Sequence, residues 1–292
     1  MNSRRDFIKH LGLVTAGVAL APSMDLFAAK KSWFEISLAE WSLHKTLFKG
    51  DLKNIDFPQF AAEKCGIYGV EYVNTFFKDK ANDMTYLKDL NNRAKSSGVT
   101  NVLIMVDGEG NLGDEDAKKR AKAVENHYKW IDAAHFLGCK TIRVNAAGKG
   151  SPEEVKNRVV ESLSTLADYG KKANINVVVE NHGGISSHGD WLSSVLKAVG
   201  KKNCGSLPDF GNFYEYDRYK GVEELMPFAK GVSAKANVFD ANGNERNIDY
   251  VRMMDIVKKA KYKGYIGIEY EGTELSELDG ILATKKLLER FK

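Results

Sequence analysis

Proline is scarce in this chain, five in 292 residues against an average near 5 %, and no proline-rich linker or low-complexity tract interrupts it. Cysteine is scarcer still. The three present, Cys65, Cys139 and Cys204, are widely spaced and odd in number, which excludes a disulfide framework and offers no zinc-binding spacing; they read as small core residues. No apolar run is long enough to span a bilayer: the stretch from Leu11 to Ala21 is short and is broken by Gly12, Thr15 and Gly17. Charge of one sign is also missing. With 43 basic against 39 acidic residues the formal charge is +4, and nothing resembles the basic footprint of a nucleic-acid binder.

What is present begins with the leader. Ser3-Arg4-Arg5-Asp6-Phe7-Ile8-Lys9 is similar to the twin-arginine export motif, and a weakly apolar stretch follows it. Residues 1–29 are therefore expected to be a twin-arginine-type signal peptide. The expected destination is the periplasm or beyond, with the twin-arginine export machinery as a partner and no stable membrane anchor. Such export carries folded proteins, which suits one that takes up a metal or cofactor inside the cell.

From Trp33 onward short apolar strands alternate with amphipathic helices. Val177-Val178-Val179 reads as a strand buried on both faces, yet it runs directly into Glu180-Asn181-His182-Gly183-Gly184. Apolar packing does not account for a carboxylate, an amide and an imidazole at that point. Other strands end alike, and the strand-end residues Glu71, Asp107, Asn145, Glu180, Asp209, Lys235 and Glu269 recur at intervals that fit one helix, two loops and a strand. Eight such units predict an α/β fold, a single-domain (β/α)₈ TIM barrel over residues 30–292. A helix is expected over residues 57–64, and another from Pro152 with two glutamates in its first turn.

Active sites of such barrels lie at the carboxyl ends of the strands. The candidate set there is Glu40, His44, Glu71, Asp107, Arg143, Asn145, Glu180, His182, Asp209, Asn212, Lys235 and Glu269. Carboxylates facing one another raise each other's pKa unless a cation intervenes. A divalent metal is one answer: manganese, magnesium or cobalt for an oxygen-rich shell, zinc where an imidazole joins it. Pairing with Arg143 or Lys235 is the other. Arg143 is open to two roles, binding an anionic group of a substrate or neutralising Glu180.

Glu180-Asn181-His182, Asp209-x-Gly211-Asn212 and Gly267-Ile268-Glu269, in that order, resemble the xylose isomerase-like TIM barrel superfamily over essentially the whole chain after the leader. The resemblance implies a metal held by Glu180, Asp209 and Glu269, with the two glutamates doubling as the acid–base pair. His182 and Asn212 match positions that usually contact the substrate; Glu40, His44, Glu71, Asp107, Arg143 and Asn145 are expected to contact it from their place at the strand ends. One departure stands out. Where the family most often has a strand-seven histidine ligand, this chain reads Val232-Ser233-Ala234-Lys235-Ala236. Either three carboxylates hold the ion, with His182 or a neighbour completing its shell, or Lys235 stands in for it.

The implied function is that of a sugar isomerase or epimerase, removing a proton next to the carbonyl of a keto-sugar or sugar derivative through a metal-stabilised enediolate. A 3-keto-glycoside lyase or dehydratase of the same fold is the alternative, followed by a non-catalytic periplasmic sugar-binding barrel. The implied partner is a small carbohydrate, and barrels of this family often pair, so a homodimer is open. An endonuclease of the same superfamily would need several strand-end histidines; six in the whole chain, one of them His10 in the leader, argue against that.

Overall fold

A computed structural model of the chain describes residues 32–292; the leader expected over residues 1–29 lies outside the described residues. Eight strands follow in order: Glu35–Ala39 (β1), Gly69–Val73 (β2), Thr100–Met105 (β3), Thr141–Val144 (β4), Asn176–Glu180 (β5), Cys204–Leu207 (β6), Val232–Ala236 (β7) and Tyr265–Tyr270 (β8). The α-helices between and after them are His44–Lys49 (α1), Phe57–Phe60 (α2), Met84–Ser96 (α3), Ala117–Leu137 (α4), Pro152–Lys172 (α5), Gly189–Val199 (α6), Arg218–Leu225 (α7), Tyr250–Lys259 (α8) and Glu277–Glu289 (α9). No helix among the described residues is long and apolar enough to cross a membrane.

All strand pairs are parallel, in the order β6-β5-β4-β3-β2-β1-β8-β7, so β1 joins β2 on one side and β8 on the other. The ring closes between β6 and β7 by a short seam. Its bridges are Ser206–Ala229 and Asp209–Ser233. The Ser233 amide donates to the Pro208 carbonyl at 2.9 Å, and the Phe210 amide to the Ser233 carbonyl at 3.1 Å. This is the (β/α)₈ TIM barrel that the alternation predicts.

Side chains alternate along each strand, so one set enters the bore and the other meets the helices. Ala39, Val73, Leu103, Met105, Val178 and Leu207 cluster inside the bore. Val177 and Val179 point outward into the larger helix-facing core, with Ile104, Ile142 and Ile268. All three valines of β5 are fully buried, as the run of apolar residues requires. The helices begin on conventional caps. Asp83, Asp116, Asp217 and Asp249 each accept backbone N–H groups of the first turn, and Ser151 forms a capping box with Glu154 ahead of α5. Gly138 ends α4 in the left-handed conformation at φ 81°, where a side chain would be strained.

Two local expectations are corrected. The helix over residues 57–64 is a four-residue α2 followed by a π-helical turn, Ala61–Cys65. Glu71 is not the end of its strand: β2 runs on to Val73, and the register with β3 shifts between Val70 and Glu71. Glu71 therefore lies one inward-facing position deeper in the bore than the strand tips.

Candidate active site at the carboxyl end of the barrel

Glu180 is the last residue of β5, and its carboxylate is fully buried. Oε1 accepts a hydrogen bond from Asn212 Nδ2 at 3.1 Å. Oε2 lies 2.9 Å from Arg143 Nε, an ion pair whose N–H direction misses the oxygen, so neither atom has a directed hydrogen bond. Asp209 follows β6 and is held from several sides. Its Oδ1 accepts the Gly211 and Asn212 amides, both at 2.8 Å, and its Oδ2 lies 2.7 Å from the Ser233 hydroxyl. Glu269, on β8, takes Lys235 Nζ on Oε1 at 2.8 Å and shares the Ser233 hydroxyl at 3.0 Å on Oε2. One oxygen from each of these carboxylates lies within 4.8 Å of the other two.

Two cations serve this cluster. Lys235 bonds Glu271 at 2.8 Å as well as Glu269, with Asp209 Oδ2 at 3.8 Å. Arg143 bonds Asp107 at 2.6 Å, and Asn145 donates to the same Asp107 oxygen at 2.7 Å. Burial pulls the pKa of both cations down, but the facing carboxylates outweigh it and raise both above their usual values. Burial raises Glu180 well above the usual carboxylate range; Arg143 opposes the rise, and the charges of Glu269 and Asp209 add to it. Asp209 is pushed up to about 6, by burial first, with Lys235 opposing. For Glu269 burial is overcome by the Lys235 charge and hydrogen bond, which hold it down at about 2.

A divalent cation fits this donor set. Three buried, hard oxygen donors converge, and Glu180 Oε2 lacks a directed hydrogen bond. Five carboxylates, Asp107, Glu180, Asp209, Glu269 and Glu271, face only Arg143 and Lys235 in these ion pairs. The excess negative charge calls for protons or for a further cation.

Of the remaining expected residues, Asn212, Asp107, Arg143 and Asn145 reach this cluster through the contacts above. His182 stands exposed at the rim two residues after Glu180; partial desolvation and then the Arg143 charge hold its imidazole below its usual value. His44 begins α1. It stacks on Trp41 with ring centroids 5.1 Å apart, and its Nδ1 lies 2.8 Å from the Trp41 carbonyl oxygen and 3.7 Å from Glu277. Its contacts are with the first loop and the start of α9 rather than with the triad. Trp41, Phe76 and exposed Phe48 continue from His44 as an aromatic wall, their centroids 5.1–6.0 Å apart. Trp41 and Phe76 pack on the cluster inside the bore.

Two expected substrate contacts do not fit their placement. Ala39 points into the bore, so Glu40 points out of it; its carboxylate accepts from Asn54 Nδ2 at 2.8 Å and from the Val73 amide at 2.9 Å, fully buried. Glu71 lies beneath the site. It accepts from the Ser37 hydroxyl at 2.5 Å and fills the notch left by Gly267, where a Cβ would come within 2.5 Å of its oxygen.

The expected site set also left out residues that build the site. Asn181 ties the ends of β5 and β6 together: its Oδ1 accepts the Asp209 amide at 2.8 Å and its Nδ2 donates to the Asp209 carbonyl at 3.0 Å. Ser233 bridges two of the carboxylates through its hydroxyl. Glu271, two residues beyond Glu269 and so on the same face, was findable from strand alternation.

Comparison with known proteins agrees with this geometry. No curated protein sequence matches the chain. Solved structures match in fold. A zinc-bound IolI protein superposes with a TM-score of 0.71 at 14 % identity, over 88 % of this chain and 98 % of that one. The probable 3-DHS dehydratase AsbF of Bacillus anthracis gives 0.67 at 18 %, over 88 % and 99 %. The 3-keto-D-glucoside 4-epimerase YcjR of E. coli gives 0.65 at 14 %, also over 88 % and 99 %. Identities this low establish the fold alone. The sequence profile of the xylose isomerase-like TIM barrel matches residues 60–292, from α2 to the end of the chain. With that match and eight strands delivering Glu180, Asp209 and Glu269 to one point, the chain belongs to the xylose isomerase-like TIM barrel family.

Proposed function

We propose that this protein is a carbohydrate isomerase or epimerase that moves a proton on the carbon next to a carbonyl, with a keto-sugar or 3-keto-glycoside as substrate. The observation that carries the reading is the placement of Glu180 and Glu269. They are buried carboxylates from strands three apart in the ring, with oxygens within 4.8 Å and a fixed cation beside each. A proton next to a carbonyl is weakly acidic, so its removal needs a positioned base and a stabilised oxyanion. Glu180 and Glu269 form the acid–base pair. Lys235 has three N–H donors and spends two on Glu269 and Glu271, which leaves one for a developing enolate oxygen.

Asn212 and Asn145 are placed to orient hydroxyl groups, with His182 at the rim. The wall of Trp41, Phe76 and Phe48 suits the apolar face of a sugar ring. A divalent ion held by Glu180, Asp209 and Glu269 would supply Lewis-acid polarisation of the carbonyl. The family and the fold of a 3-keto-D-glucoside epimerase support the substrate class; the fold of a dehydratase supports elimination as the variant in which a neighbouring group leaves instead.

The test is deuterium incorporation from solvent next to the carbonyl of keto-hexoses and 3-keto-glycosides, with the products analysed for epimer, isomer or eliminated group. Exchange is expected, and Glu180→Gln and Glu269→Gln should each slow it by about 10²–10⁴-fold. A ligand that binds without exchange would instead make this a sugar-binding barrel.

A further inference from the structure

Lys235 is built into the acidic cluster. Its side chain is 4 % exposed, and its ammonium contacts Glu269 and Glu271 at 2.8 Å each. The fold makes room for the stem: a Cβ on Gly211 would come within 2.5 Å of Lys235 Cγ and 3.0 Å of its Cβ. Glycine two residues after Asp209 is thus what lets an inward lysine pass. Tyr250 donates its hydroxyl to the Lys235 carbonyl at 2.8 Å and fixes that point of β7. Ser233 already occupies the second oxygen of both Asp209 and Glu269.

The geometry points to Lys235 as a resident cation of this site, one that holds Asp209 and Glu269 in place without a metal and competes with a divalent ion for them. This rests on the reading that the three carboxylates take such an ion. An ammonium and a dication cannot share Glu269 Oε1 at contact distance without strong repulsion. Glu271 is the outlet: its side chain is 35 % exposed, so the ammonium can keep that partner and turn away when an ion binds. The wild-type site therefore binds a dication more weakly than its carboxylates alone would.

Mn²⁺ is titrated by calorimetry into the chelator-stripped wild type, Lys235→Met and Gly211→Ala, and each protein as purified is melted with and without EDTA. EDTA is expected to move the wild-type Tm by less than about 2 °C. Lys235→Met should bind Mn²⁺ at least about tenfold more tightly, and its Tm should rise with added ion. Gly211→Ala keeps every charge but displaces the lysine stem, so it should tighten binding too; it also serves if Lys235→Met fails to fold. A wild-type Tm that drops by more than about 5 °C in EDTA overturns the proposal. So does equal or weaker Mn²⁺ binding by both variants, which leaves the three-carboxylate ion site standing. Absence of Mn²⁺ binding in every form overturns both.

Discussion

Glu40 is fully buried between the end of β1 and its neighbours, and its partners are an amide side chain and a backbone N–H. Burial is the largest influence on it and raises its pKa from 4.5 to about 8, against the pull of the Val73 and Asn54 hydrogen bonds. The folded protein then keeps a proton that the unfolded chain releases between about pH 4.5 and 8. Over that window the folded state binds more protons, so stability falls as pH rises. Acting alone, Glu40 would account for a difference on the order of 4 kcal/mol. Glu71, raised to about 7 by burial first, pushes in the same direction. Urea midpoints should therefore be lower at pH 8 than at pH 5, and Glu40→Gln, neutral throughout, should narrow the gap. A gap of the same size in that variant would show that the charge is not its cause. The two residues also mark where the sequence stops being legible. Glu180, Asp209 and Glu269 stand out as acids ending apolar runs, but so do Glu40 and Glu71. Only the parity of side chains along β1, and the true length of β2, separate the braces from the site.

The βα units themselves were readable, because short apolar runs alternate with amphipathic helical stretches along most of the chain. What did not show was how adjacent units are joined at the site face. Asn181 does this for β5 and β6, pairing with both the amide and the carbonyl of Asp209. From the sequence it is one polar residue in a turn; its partner is 28 positions away, and only the pairing of β5 with β6 brings the two together. Asn181→Ala leaves a buried N–H and C=O unpaired and should cost about 2–4 kcal/mol of stability. It should also slow solvent exchange into substrate by shifting Asp209, and denaturant melts beside the exchange assay would show both. Normal stability and normal exchange would mean the strand ends are held by the barrel without it.

At the scale of the whole chain, the described residues from Ser32 onward form a compact unit of their own. Export remains a proposal carried by Ser3-Arg4-Arg5-Asp6-Phe7-Ile8-Lys9. Changing Arg4 and Arg5 to lysine should trap folded protein in the cytoplasm when cells are fractionated, and unchanged export would remove the twin-arginine reading.

The ring of strands is also not uniform. Seven of its joints are paired ladders, and the eighth, between β6 and β7, rests on two bridges. The charged residues of the site sit astride that joint, with Glu180 and Asp209 on one side and Lys235 and Glu269 on the other. The barrel is in this sense a hoop with a clasp, and whatever occupies the site fastens it. Amide protons of Phe210 and Ser233 should then exchange more slowly when a ligand is bound than without it, while those of β2 and β3, on the far side of the hoop, keep their rates. Tightness of binding and firmness of the joint would be one quantity measured twice.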